Sequence, residues 1–359
     1  MNLRVPGPTP LPRAVCKAMA RPMIGHRSSE FRDLMAEIQP CLRAVFGVGE
    51  DVIVLTASGT GGLEAAVVNT LSPGDEVVAV SVGVFGRRFA AVAAAFGARV
   101  TLVEFPPGQR ADARTVGAAL AAAPGAKALL LTHSETSTGV ANDVPAIVRM
   151  ARQVSPDILV LVDGVSSVGA MPLEADAWGC DVVVAASQKA LMGPPGLALI
   201  SLSRRGLAAV EQARMPRFYW DLREARRWAT RGETPFTPAI GAIRGLHAGL
   251  RMLIEEGLDA AFARHRELAR MARQGLARLG FRPVAAEECA SPSVTAAWVP
   301  EGVSADLLIR VLDERYDVVL ATGHEPDRTI RLAHMGWVHE VDIREALAAV
   351  ESALADVRG

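Results

Sequence analysis

The sequence predicts an α/β protein with two units. The larger is a mostly parallel seven-stranded sheet with helices on both faces, and the smaller is a C-terminal α+β domain. Three observations carry the prediction. Seven short runs, at 52–57, 76–82, 98–104, 127–132, 158–163, 181–186 and 197–202, are nearly continuously apolar rather than alternating; strands covered on both faces read this way. Helix-length stretches at 60–71, 85–96, 111–122 and 143–153 separate most of these runs, which is the βαβ rhythm of right-handed parallel crossovers. The chain has 359 residues, more than one hydrophobic core usually serves, so a second unit is expected.

Taken in order, the first residues hold a rigid turn, Gly7-Pro8-Thr9-Pro10. Strands and helices then alternate as far as residue 186. Only a short turn around Gly193–Gly196 separates the last two strands. That spacing suits a hairpin, and so one antiparallel pair in a mixed sheet. From 204 to 235 the pattern changes. The stretch MPRFYWDLREARRWATRGETPF is rich in arginine and aromatics and contains no clean strand. One long helix is expected at 238–279. The tail predicts strands near 293–298, 317–321 and 329–333, and helices near 304–314 and 341–357. The division implied is 1–20, 21–240 and 241–359.

Composition excludes several classes. Net charge is −1, so no basic field invites nucleic acid. The four cysteines, Cys16, Cys41, Cys180 and Cys289, are scattered without a CxxC pair. Neither a disulfide framework nor a zinc site is expected, and a reducing compartment, the cytoplasm, fits. The first residues, MNLRVPGPTPLPRAV, hold no apolar stretch of signal-peptide length, and no window approaches 18 apolar residues, so no membrane span is expected. His334 and His339 lack HExxH spacing, and no metal is expected. Ser166 and Ser167 do not form a GxSxG elbow.

In open α/β sheets ligands collect at the carboxyl ends of the strands. After the first strand stands Ser58-Gly59-Thr60-Gly61-Gly62, opening a helix. Its free N–H groups and dipole suit an anion, typically phosphate, although a tight strand-to-helix turn also needs glycine. After the fourth strand comes His133-Ser134-Glu135-Thr136-Ser137-Thr138-Gly139. After the fifth comes Asp163, a carboxylate that is costly to bury unless paired. After the sixth come Ser187, Gln188 and Lys189. A lysine, an aspartate one strand away and an anion cradle together suit pyridoxal phosphate chemistry. The lysine forms a Schiff base with the aldehyde, the aspartate pairs with the ring nitrogen, and the helix start holds the phosphate.

These residues also carry a resemblance. SQKALMGPPGLALIS at 187–201 resembles the cofactor-lysine segment of the class V, fold-type I aminotransferases of the alanine–glyoxylate and serine–glyoxylate (serine–pyruvate) kind. PGPTPLP near residue 6, SGTGGLEAA at 58–66, THSETSTGV at 132–140, DGVSSVGA at 163–170 and IRLAHMG at 330–336 follow in the family's order. The resemblance implies Lys189 as the Schiff-base lysine and Asp163 as the partner of the pyridine nitrogen. It implies Ser58, Gly59 and Thr60 as the phosphate cup, helped by Gln188. Phe85 falls where the family stacks an aromatic on the ring; many members carry Trp or Tyr there. Thr136 falls where a Ser or Thr approaches cofactor or substrate, and Arg331 matches the arginine that grips the substrate carboxylate. Thr234 and Thr237 fall in the stretch that reaches the neighbouring subunit's phosphate, implying a homodimer with a shared active site. The segment containing Gly7 resembles the one lying over the substrate. In these terms 1–20 lies near the active site, 21–240 binds the cofactor, and 241–359 is a linking helix with a small domain.

The expected activity moves an amino group from alanine or serine to glyoxylate or pyruvate. Arg331 is the one recognisable carboxylate anchor, with the Arg-rich 214–231 segment a possible source of a second. Rival readings are an aminotransferase of another small substrate such as 2-aminoethylphosphonate, a lyase, a desulfurase using Cys289, and a non-catalytic partner subunit of the same fold.

Overall fold

The structure, a computed structural model, describes residues 1–358. Its main sheet has seven strands in the order Ile53–Thr56, Leu197–Leu202, Val182–Ala186, Leu159–Asp163, Ala126–Thr132, Glu76–Ser81, Arg99–Glu104. Leu197–Leu202 alone runs against the rest, setting Ala198 opposite both Leu55 and Ala186. The predicted hairpin is therefore present.

Successive strand residues point to opposite faces, and both faces are covered. Leu129, Leu131, Val160 and Val162 enter one core layer with Phe31, Ile147 and Leu246. Ala128, Leu130, Leu159 and Leu161 enter the other with Leu63, Val67 and Phe89. This two-sided burial is why the strands read as continuous apolar runs. The run at 98–104 is the exception. Arg99–Glu104 is the edge strand, paired only to Glu76–Ser81, and it is largely exposed. Its Arg99 and Glu104 reach Glu76 and Arg87 across the surface.

Two expectations need correction in the second half. The single helix over 238–279 is two helices, Ile240–Glu256 and Leu258–Arg278. The break is Gly257, whose φ of 87° lies in the left-handed region that glycine tolerates. The first helix buries Ile243, Leu246 and Leu250 in the main core, while the second turns Leu268, Ala272 and Leu276 into the C-terminal core. The stretch 204–235 contains no strand, as expected, and holds two helices. Ser203 and Asp221 cap the helices Arg204–Gln212 and Leu222–Ala229 by accepting from Gly206 and Arg223 N–H groups.

The C-terminal sheet runs Arg282–Pro283, Val294–Trp298, Thr329–Ala333, Ala321–Thr322. The strand expected at 317–321 is split. Val318–Val319 pairs with the N-terminal Asn2–Leu3, and Ala321–Thr322 turns to pair with Thr329–Ala333. The N-terminal segment thus joins the small domain first, with Ala333 N donating to Arg4 O at 2.8 Å. It then crosses to the main sheet, where Thr9 N donates to Gln188 O at 3.1 Å. No helix among the described residues is long and apolar enough to cross a membrane.

Candidate active site

Because six strands run the same way, the segments after Thr56, Ser81, Thr132, Asp163 and Ala186 emerge at one edge of the sheet. They enclose a cleft of about 140 Å³ whose walls include Ser58, Phe85, Asp163 and Lys189. Lys189 lies three residues past its strand. Its Nζ donates to the carbonyl of Pro6. A Cβ on Gly7 would fall 2.6 Å from Nζ and 2.8 Å from Cε, and Gly7 has a φ of 127°. Only glycine lets this backbone lie against the lysine. Burial lowers the ammonium to about 8, with the Arg331 charge acting the same way and Asp163 opposing both.

Asp163 ends its strand 5% exposed. Its Oδ1 accepts from Val165 N at 3.0 Å, and no cation among the described residues comes within ion-pair distance of it. Burial pushes the carboxyl up to about 6, against the lowering effect of the Val165 hydrogen bond. A carboxylate this dry and lacking a partner suits a cation bound in the cleft.

The glycine run opens the helix Gly59–Thr70, and Ser58 Oγ caps it by accepting from Gly61 N at 3.2 Å. The first N–H groups of a helix have no acceptor within it, and Ser58, Gly59 and Thr60 at this helix start line the cleft. The glycines also serve packing. A Cβ on Gly62 would lie 2.7 Å from Val184 Cγ1 and 2.9 Å from Ala198 Cβ. Gly62→Ala is therefore expected to lose about 1–2 kcal/mol in urea unfolding, since overpacking a fixed core exceeds the gain in helix propensity. A neutral result would show that the helix can move off the sheet. Gln188, also in the wall, has a buried Oε1 with no partner.

The remaining expected residues divide. Phe85 lies in the wall at the start of the helix Val84–Ala95. That helix start is held by Glu135, whose carboxylate accepts from the N–H groups of Phe85 and Gly86 at 2.9 and 3.1 Å. Thr136 is buried but does not line the cleft; Ser134, two residues earlier, does. The turn after Ser134–Glu135 carries Thr136 toward the small domain, where its carbonyl accepts from Arg331 Nη1 at 3.4 Å. Arg331 Nε donates to Thr322 O at 2.6 Å, and burial lowers the guanidinium against the charge of Glu135. Thr234 and Thr237 lie away from this cleft, in a separate cavity with Thr56, Tyr219 and Phe236. Sequence reasoning missed Ser134, Val165, Ser166 and Arg88 in the wall. The first three sit inside motifs already singled out. Arg88 follows Phe85 by three residues, the spacing that shares a helix face.

The sequence model of the family Aminotransferase class-V matches residues 3–336. The chain belongs to the class V aminotransferases. Full-length similarity agrees. The L-aspartate–glyoxylate aminotransferase of Paracoccus denitrificans is 37% identical, over 98% of this chain and 91% of that protein. A protein named as the soluble hydrogenase 42 kDa subunit of Anabaena cylindrica is 39% identical, over 99% and 94%. Among solved structures, an alanine–glyoxylate aminotransferase from Nostoc sp. superposes with a TM-score of 0.93 at 28% identity, covering 98% of this chain and 94% of that one. Class V aminotransferases work with pyridoxal 5′-phosphate. The cleft of this class V aminotransferase fits that group. It offers one buried amine, a dry carboxylate without a cation, helix N–H groups and a Gln188 amide oxygen without a partner.

Proposed function

We propose that this class V aminotransferase moves an amino group from a small amino acid to a small 2-oxo acid. Alanine or serine are the donors that Arg331 alone would serve, and glyoxylate or pyruvate the acceptors. The observation that carries the reading is the burial of Lys189 and Asp163 in one cleft, beside a glycine-opened helix. The bound cofactor supplies the carbonyl carbon that takes up the amino group and a protonated ring that acts as an electron sink.

The chain's own residues do the rest. Lys189 would hold the cofactor through Nζ, and the same nitrogen can take and return the substrate Cα proton. Its lowered ammonium, about 8, suits a group that must both give and take a proton near neutrality. Asp163 would keep the ring nitrogen protonated. Ser58, Gly59 and Thr60 would hold the phosphate with help from Gln188, and Phe85 would pack on the ring. Thr136 positions Arg331 through its carbonyl, and Arg331 grips the substrate carboxylate. The segment containing Gly7 closes over Lys189 and keeps water out.

We read the working enzyme as a cytoplasmic homodimer. Thr234 and Thr237 stand off this chain's own cleft, beside Phe218, Tyr219 and Phe236, an exposed aromatic cluster in which Tyr219 and Phe236 stack at 5.1 Å. A second copy would cover that surface and bring the threonines to its partner's phosphate. Four free cysteines support a reducing compartment.

A matrix of donors and acceptors tests the reading. Turnover of alanine or serine with glyoxylate or pyruvate is expected, and no turnover with any such pair would defeat it. Arg331→Lys keeps the charge and loses the fork. A hydrogen bond to a charged group contributes roughly 1.5–3 kcal/mol, so kcat/KM for amino acids is expected to fall about 10- to 150-fold. Cofactor affinity should hardly change. An equal fall for an amine lacking a carboxylate would remove Arg331 from that role. The hydrogenase name of one relative favours a second reading, a partner subunit without activity of its own. That reading expects no transamination by the purified chain.

A further inference from the structure

The cleft contains a guanidinium that the reading above leaves unused. Arg88 lies in its wall, one turn after Phe85, with its Cζ 4.7 Å from the centre of the Phe85 ring. It makes no hydrogen bond or ion pair to any of the described residues. Its neighbour Arg87, by contrast, is tied to Glu104 at 2.6 Å. Of the two buried carboxylates near it, Asp163 stands in the same wall without an ion pair to Arg88, and Glu135 is not available to it. Glu135 already accepts from the Phe85, Gly86 and Ser137 N–H groups and from the Ser137 hydroxyl.

A guanidinium stacked on an aromatic face is steadied there while the N–H groups at its edge remain free to fork onto a carboxylate. Arg331 stands on the opposite, small-domain side, with Nε committed to Thr322 O. Arg88 lines the cleft and Arg331 does not, though both charges act on Lys189. The arginines of the 214–231 segment, the other source expected for a second anchor, do not line this chain's cleft. Of these, Arg217 binds the carbonyls of Val68 and Ala213, Arg223 binds Asp221 and Arg227 binds Glu224.

We infer that Arg88 is a specificity residue, a second carboxylate anchor that extends the donor class to amino acids with a short acidic side chain, of the aspartate type. This rests on the reading of Arg331 as the first anchor. Arg331 takes the α-carboxylate, Arg88 takes the side-chain carboxylate, and the amino group lies between them facing Lys189.

The test compares two donors and two analogues in wild type and Arg88→Gln. With the holoenzyme, aspartate is expected to be turned over at least as well as alanine. Arg88→Gln should lower kcat/KM for aspartate about 10- to 150-fold and for alanine by less than about 3-fold, and Arg88→Lys should restore part of the aspartate rate. Independently of turnover, calorimetry should find that maleate binds the wild type more tightly than propionate does, and that Arg88→Gln abolishes the difference. Equal losses for both donors, with weakened cofactor binding, would assign Arg88 to the cofactor and overturn the inference. So would a wild type that uses alanine but not aspartate, or that binds maleate no better than propionate. An enzyme that turns over neither donor but still shows the Arg88-dependent preference for maleate would sink the proposed reaction and leave Arg88 as the anchor.

Discussion

Lys189→Ala is expected to fold and to lose turnover by more than about 10⁴-fold, because the attachment point and the proton carrier vanish together. Its stability should not suffer. In the folded protein Lys189 titrates near 8 against an ordinary 10.5, so between those values the unfolded chain holds a proton that the folded chain has lost. Stability therefore rises with pH across that window. Below about 8 the buried ammonium is a constant cost of roughly 3 kcal/mol. Alanine removes both the cost and the rise. Cofactor-free Lys189→Ala should melt at or above the wild-type temperature at pH 7, with no gain between pH 8 and 10. Borohydride reduction of the wild-type holoenzyme, followed by peptide mapping, should fix the cofactor to Lys189. Label on Lys17 or Lys127, the other lysines, would overturn the assignment.

Asp163→Asn should separate function from fold in the opposite sense of pH. The folded carboxyl titrates near 6 against an ordinary 3.8. Between those values the folded chain holds the extra proton, so stability falls as pH rises through the window. Above about 6 the loss is complete, roughly 3 kcal/mol. Asparagine never ionises, and its Oδ1 can still accept from Val165 N. The cofactor-free variant is thus expected to match or exceed wild-type stability at pH 7 and to show no fall between pH 4 and 6. With cofactor the order reverses. Binding should weaken, and removal of the Cα proton should slow by about 10²- to 10³-fold or more, since the charge that keeps the ring protonated is gone. Thermal melts with and without pyridoxal phosphate, beside a single-turnover alanine assay, measure both effects. Were Asp163 only a cap, the change would be about 1 kcal/mol or less in either state and activity would persist.

Local pattern alone determined the main sheet, its hairpin and the side of it that carries the chemistry. A strand buried on both faces cannot hide its continuous apolar run, and strand direction follows from βαβ order. Lys189, Asp163 and Ser58–Thr60 could therefore be placed at one edge from spacing alone. Ser203 and Asp221 were readable caps that the change of composition after residue 203 obscured. Other features depended on contacts between segments far apart in sequence. Arg99–Glu104 is exposed while the other edge strand, Ile53–Thr56, is buried, a difference that lies in what packs over each edge. The break at Gly257 reads as helix until two separate cores pull its flanks apart. Gly7 is required only because a strand-end lysine more than 180 residues later lies against it. Arg88 is one arginine among many until Phe85 steadies it in the cleft with no carboxylate of the described residues in ion-pair reach. Periodicity reports which face of an element is buried; which charges remain free is decided when the elements meet.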